Sequence, residues 1–210
     1  MKFLYITMAI ITIITAWAIM GYFFIKKIET PTYNVVEHKE SYEVRQYEPI
    51  IIAYVEVEGT YRESIRQGFR LIADYIFGNN STQEQIAMTA PVTEQQESQK
   101  IAMTAPVMAQ EYEMGRHIIS FIMPSKYTIE TLPIPNNDQV KLQQEPSKKY
   151  AVMAFSWFSI NTRVANKKKE FVDILIRDEL EIISEPKYAG YNPPLTIPFM
   201  QRHEILIEVK

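Results

Sequence analysis

The sequence predicts an α+β domain, with a mostly antiparallel, barrel-like sheet and two helices, behind one N-terminal transmembrane helix. Three observations carry this. Apolar residues alternate in several short runs and switch to helical spacing in two longer ones. The order of these signals repeats about 100 residues later. Phe3–Ile25 holds 23 residues without a charged side chain.

At 1.5 Å per residue, a 23-residue helix spans about 34 Å. That covers a hydrocarbon core of ~30 Å. Lys2 precedes the run and Lys26-Lys27 follow it, with Trp17, Tyr22 and Phe23 toward one end, where aromatic rings favour the interface. Ala16-Trp17-Ala18 fits a signal-peptidase pattern, which leaves a cleaved secreted form open. The apolar run continues past Ala18, however, and this favours an uncleaved anchor. Positive charge is nearly balanced across the run; its likeness to an export signal places the soluble part outside the cytoplasm, in the periplasm. The expected organisation is an anchor over residues 1–28, a polar tether over 29–40 and one domain over 41–210.

In the domain, Ser41–Tyr47 alternates, with Tyr42, Val44 and Gln46 on one side and Glu43, Arg45 and Tyr47 on the other. Pro49 breaks it. Ile50–Glu58 is a strand with an apolar face of Ile51, Ala53, Val55 and Val57. Gly59 ends it, and Tyr61–Phe77 reads as a helix with the stripe Ile65, Phe69, Ile72 and Ile76. Gly78-Asn79-Asn80 is a stop signal. Ile-Ala-Met-Thr-Ala-Pro-Val then occurs twice, at Ile86–Val92 and Ile101–Val107, around the polar link Thr93–Lys100. Two such runs around a polar turn read as a hairpin, with Pro91 and Pro106 at strand ends, bulges or edges. Alternation puts Ile101, Met103, Ala105 and Val107 on one face. His117–Met123 and Tyr150–Trp157 are further strands, Arg163–Leu180 is a helix with Phe171, Ile174 and Leu175 inward, and His203–Val209 is a closing strand. Glu48-Pro49, strand and helix thus have a counterpart in Glu145-Pro146, strand and helix, suggesting two halves related by a pseudo-twofold.

Composition narrows the function. The 210 residues carry a net charge of −3 with both signs interspersed, which argues against nucleic-acid binding. There is no cysteine, hence no disulfide, thiolate metal site, cysteine nucleophile or covalent c-type haem. No phosphate-binding loop, nucleophile elbow or zinc spacing appears, and Glu43, Glu56 and Glu58 read as surface charges, so no enzyme is expected.

Four stretches, in this order, resemble the SOUL/haem-binding-protein (HEBP) family: Tyr42–Pro49, the Gly68-Phe69…Tyr75–Gly78 helix end, the two Ile-Ala-Met-Thr-Ala-Pro-Val copies, and Ala189–Pro194 with the Arg202–Val209 strand. The doubled motif is similar to that of bacterial members. The resemblance implies two pseudo-twofold-related β-α-β-β repeats forming a distorted, mostly antiparallel β-barrel with two helices. It also implies non-covalent binding of haem or another tetrapyrrole in an apolar cleft. Family contact positions fall on Arg66, Phe69, Arg70 and Ala73 of the first helix, and on Tyr188, Tyr191 and Leu195 before the last strand. Arg66 and Arg70 lie one turn apart and can face haem propionates together, or be ordinary surface arginines. Some animal members have His where this chain has Gln46, a poor iron ligand; weak ligation, an unexpected ligand such as Tyr191, or no axial ligand is expected. His38, His117 and His203, and Met88 and Met103, read as structural. The expected function is a membrane-tethered tetrapyrrole-binding protein that buffers, carries or senses haem, attached to the lipid bilayer through residues 3–25. The alternative is an effector-binding or protein-interaction module for another amphipathic ligand.

Overall fold

The computed structural model describes residues 28–82, 98–193 and 196–210, with Tyr5, Thr7, Met8, Thr12, Thr15, Trp17, Ala18 and Gly21 from the N-terminal stretch. Among the described residues, no helix is long and apolar enough to cross a membrane; most of Phe3–Ile25 lies outside them.

The strands are β1 (Tyr33–His38), β2 (Glu43–Tyr47), β3 (Ile50–Glu58), β4 (Asn80–Ser81), β5 (Val107–Glu113), β6 (Arg116–Ile122), β7 (Ile134–Pro135), β8 (Lys141–Glu145), β9 (Lys148–Phe155), β10 (Lys187–Gly190) and β11 (His203–Glu208). The helices are α1 (Tyr61–Ile76) and α2 (Asn161–Arg177). Nine strands form one sheet in the order β1-β2-β9-β11-β10-β5-β6-β3-β8, with every ladder antiparallel. Outward from the β5–β10 junction the order reads β6-β3-β8 one way and β11-β9-β2 the other. Each half has the connectivity strand, helix, strand, strand: β3-α1-β5-β6 and β9-α2-β10-β11. β4 and β7 pair separately.

The sheet is strongly curled but open, a half-barrel where a distorted barrel was expected. Its two edges, β1 and β8, do not pair. The halves are joined instead by two short links, Glu48-Pro49 and Pro146-Ser147, whose prolines cannot donate to a ladder. Ser147 stitches them together, donating to the Tyr47 carbonyl at 2.7 Å and accepting from Gln46 Nε2 at 2.8 Å.

Both helices cover one face of the sheet. Period-two alternation sends Ala53, Val55 and Val57 of β3, Ile119 and Phe121 of β6, and Ile205 and Ile207 of β11 to that side. They meet Ile72, Tyr75 and Ile76 of α1 and Phe171 and Leu175 of α2. Gly68 makes the α1 approach possible: a Cβ there would lie 2.5 Å from the Ile119 side chain. Both helices stop in Schellman geometry. Gly78 and Glu179 take positive φ (125° and 58°), and Asn79 and Leu180 donate back to the Asp74 and Leu175 carbonyls. This is why α2 ends at Arg177 and not at Leu180.

Several expectations need correction. The second motif copy is not one arm of a regular hairpin. From Ile101 to Pro106 it is irregular, and only Val107 enters β5. Thr104 bridges Glu29 and its hydroxyl donates to the Ile122 carbonyl, while Ala105 N–H donates to the Glu29 carbonyl at 2.9 Å. These bonds turn Thr104, Ala105 and Pro106 inward together and leave Met103 exposed, so period-two alternation fails. The first copy, Ile86–Val92, with Met88, lies outside the described residues. Within the tether, Tyr33–His38 is an edge strand paired with β2.

Candidate functional site

The residues picked from sequence divide between the two faces of the sheet. On the helix side, Arg66, Phe69, Arg70 and Ala73 share one face of α1 because they are spaced by three and four residues. Ala73 is buried at the base of this face, whereas Arg66 and Arg70 are exposed. Neither arginine makes an ion pair or hydrogen bond with another described residue. Phe69 was expected in the core stripe but stays 39% exposed, its ring lying tilted on Phe121 at 5.3 Å. Phe77 and Met103 are also exposed. Ile101 N–H bonds the Ile76 carbonyl and Thr104 bonds Ile122, so Met103 lies between the end of α1 and the end of β6. The result is a shallow apolar surface with the exposed guanidinium groups of Arg66 and Arg70 beside it.

Tyr188 lies deeper on the same side. Its ring stands 6.5 Å from that of Tyr61 at the start of α1, and its hydroxyl is 2.8 Å from His203 Nδ1. His203 Nε2 lies 2.8 Å from the Trp157 carbonyl, so the neutral ring donates there and accepts from Tyr188. Burial lowers the His203 pKa, consistent with that neutral state. His203 and Tyr188 therefore close the core and fix the β9–α2 loop.

Tyr191 faces the opposite side of the sheet, away from the helices, where sequence reasoning missed a buried ionic cluster. Glu204 of β11 is completely buried. Its carboxylate accepts from Arg45 Nη1 at 3.0 Å, Arg202 Nη2 at 2.6 Å and the Tyr191 hydroxyl at 2.6 Å. Arg45 also donates to Glu43 at 2.7 Å and to the Tyr47 hydroxyl at 3.3 Å. Tyr33 stacks under Arg45 and Tyr191 under Arg202, with ring centres 4.4 Å and 4.2 Å from the guanidinium carbons. Burial, reinforced by the Glu204 charge, raises the Tyr191 pKa far above its ordinary value. Its phenol is thus neutral and committed to Glu204. The alternation of His203–Val209 held the available signal, since it leaves Glu204 on the face opposite Ile205 and Ile207. Leu195, the remaining family position, lies outside the described residues.

A cavity of about 470 Å³ opens between residues 29–32, the start of β3 and the 123–130 loop. It is lined by Glu29, Glu48 and Glu130 and, among the described residues, by no lysine or arginine, so it suits haem propionates poorly. No group of acidic or histidine side chains able to hold a metal ion occurs among the described residues. His117 and His203 are buried and His38 sits on edge strand β1, so none stands on the open α1 surface.

The family model described as SOUL heme-binding protein matches residues 28–208. Over 177 residues the chain is 27% identical to heme-binding protein 2 of Homo sapiens, covering 81% of each. It is 25% identical over 177 residues to that of Mus musculus, again covering 81% of each. The crystal structure of the EcmrR C-terminal domain matches with a TM-score of 0.52 at 11% identity, over 85% of this chain and 98% of that one, a likeness of fold. With the family model spanning both halves and all nine strands of the half-barrel, this chain belongs to the SOUL heme-binding protein family.

Proposed function

We propose that this protein binds haem or a related tetrapyrrole against the outer face of α1, and that residues 3–25 hold it at a membrane with its domain on the periplasmic side. The observation that carries the binding reading is the pairing of exposed Phe69, Phe77 and Met103 with Arg66 and Arg70. Haem offers an apolar disc and two carboxylates. A site for it needs an apolar wall and cations placed to meet both propionates. Arg66 and Arg70 are one helical turn apart and can meet them side by side.

Without a histidine beside this surface, the iron is held weakly or not at all by the protein, and affinity rests on the disc and the propionates. Such a mode suits buffering, carriage or sensing, in which the ligand must leave again.

Thermal unfolding of the full chain in detergent, with and without haemin, tests the reading. A specific ligand raises the midpoint by mass action, by about 2.7 kcal/mol at a hundredfold excess over Kd. Haemin and protoporphyrin are expected to raise it alike, because the iron contributes little. A rise with unrelated amphiphiles and none with either tetrapyrrole would transfer the site to another ligand class.

A further inference from the structure

A second exposed apolar surface lies away from α1. The β9–α2 loop carries Trp157, Phe158 and Ile160, which are 52%, 57% and 60% exposed. Phe199, in the loop before β11, is 54% exposed. The two loops are tied together: Trp157 N–H donates to the Pro198 carbonyl at 2.9 Å. Trp157 itself takes φ 76°, a left-handed conformation that bulky residues avoid, and the Pro198 and His203 contacts hold it there. The matching link in the first half, between β3 and α1, is only Gly59-Thr60. Scattered single exposed apolar residues are ordinary; four large ones on two loops bonded together mark an interaction surface.

Topology places this surface beside the point where the chain enters the domain. Val107, Gly190, His203 and Phe155 are register partners in one row across β5, β10, β11 and β9. Trp157 and Phe199 lie just beyond one end of that row. Thr104, three residues before Val107, bridges Glu29 at the other. Adjacent strands are about 4.8 Å apart, so the row is ~14 Å wide. Glu29 follows Ile25 by four residues, at most about 14 Å of chain. If residues 3–25 span the bilayer, this rim is held within about 28 Å of its surface. Charge agrees: no carboxylate occurs between Glu145 and Glu170 or between Glu185 and Glu204 in a chain whose net charge is −3, and Arg163 falls within the first stretch, while Lys167 and Arg202 pair with Glu170 and Glu204 at the limits of the two stretches.

We propose that the rim carrying Trp157, Phe158, Ile160 and Phe199 docks on an anionic phospholipid surface, that of the bilayer into which residues 3–25 insert. Tryptophan and phenylalanine settle at the headgroup boundary, and the carboxylate-free flanks favour acidic lipids. The α1 surface is then held at a fixed attitude to the membrane. The docking rests on the anchor reading of residues 3–25, and the test separates the two.

The chain has two tryptophans, Trp17 and Trp157. Trp17→Phe leaves Trp157 as sole reporter, and Trp157→Phe leaves Trp17. Each full-length variant is reconstituted into phosphatidylcholine–phosphatidylglycerol vesicles containing lipid brominated near the headgroup or deep in the chain. Trp157 is expected to lose roughly half its emission to shallow bromine, as a side chain seated at the acyl boundary does. Phe158→Ser with Phe199→Ser should restore most of it, and so should leaving out phosphatidylglycerol. Quenching of Trp17 with Trp157 unaffected overturns the docking and leaves the anchor standing. No quenching of Trp17 overturns the anchor, and Trp157 then still decides the docking. A Trp157 spectrum that shifts with protein concentration and ignores bromine overturns it in favour of a second copy of the chain.

Discussion

Replacing Glu204 by leucine probes the face of the sheet away from the helices most sharply. The carboxylate is fully buried and holds Arg45, Arg202 and Tyr191 within 3.0 Å. Removing one partner of a buried pair costs about 3–5 kcal/mol, because the other charge is left uncompensated. The three partners respond differently. The Arg202 side chain is 43% exposed and can turn to water, so it adds little. The Arg45 side chain is 6% exposed and cannot, but it keeps Glu43 at 2.7 Å. Tyr191 loses its acceptor, worth roughly 1 kcal/mol. The expected loss is therefore near the low end, about 3 kcal/mol. The double variant Arg45→Met/Glu204→Leu removes both buried charges and should lie within about 1.5 kcal/mol of the parent, since apolar replacement of a whole pair is often neutral. Urea unfolding of the full chain in detergent reads both, the midpoint moving while the slope stays constant. A single variant losing under about 1 kcal/mol, or a double variant as unstable as the two singles summed, would refute the view that Arg45 and Glu204 compensate each other.

Other consequences follow from packing and titration. Gly68→Ala pushes a Cβ to 2.5 Å from the buried Ile119 side chain, so despite better helix propensity it should destabilise by about 1–2 kcal/mol, measured by thermal unfolding. A neutral or stabilising result would mean that α1 can shift freely over β6. Burial, then the Glu204 charge, pushes the Tyr47 pKa up to about 12, and burial with the Asp178 contact does the same for Tyr42. The unfolded chain ionises these tyrosines near pH 10, while the folded one holds their protons. Stability should thus be intact below pH 10 and fall between about pH 10 and 12, and Tyr47→Phe should flatten part of that fall. His203 works from the acid side. Its lowered pKa means that stability declines once pH falls below the ordinary histidine value, and His203→Gln should remove that dependence.

The parts of the fold legible in the sequence are those where one face is dry and the other wet. The bounds of β3 follow from Pro49 and Gly59, which flank a run whose Ile51, Ala53, Val55 and Val57 face is wholly apolar. α1 and α2 followed from their stripes and, for α1, from Gly78. β1, β8 and β10 carried no such pattern. β8 is a polar edge strand, Lys141–Glu145, whose pairing with β3 supplies what its composition does not. β10 is four residues long and central, and its character comes from β5 and β11 on either side. The second heptapeptide copy departs from alternation because Thr104 reads as an outward polar residue until Ile122 and Glu29 are placed beside it. At the candidate site, the family resemblance named Arg66, Phe69, Arg70 and Ala73, which share one face of α1. It could not show that Tyr188 and Tyr191, three residues apart across the end of β10, face opposite sides of the sheet. Nor could it show that Arg45 and Glu204, 159 positions apart, meet in the interior.

The central claim is that a tetrapyrrole sits on α1 with its propionates on Arg66 and Arg70. Titration of the detergent-solubilised full chain with haemin, followed at the Soret band, tests it most directly when run beside Arg66→Ala/Arg70→Ala and Tyr191→Phe. The account predicts saturable one-to-one binding, weakened about tenfold or more by loss of the two charge-assisted contacts and unchanged in band position by Tyr191→Phe. Binding that fails to saturate, or that ignores the arginine pair and shifts with Tyr191→Phe, would contradict it and move the ligand to the face of the sheet away from the helices.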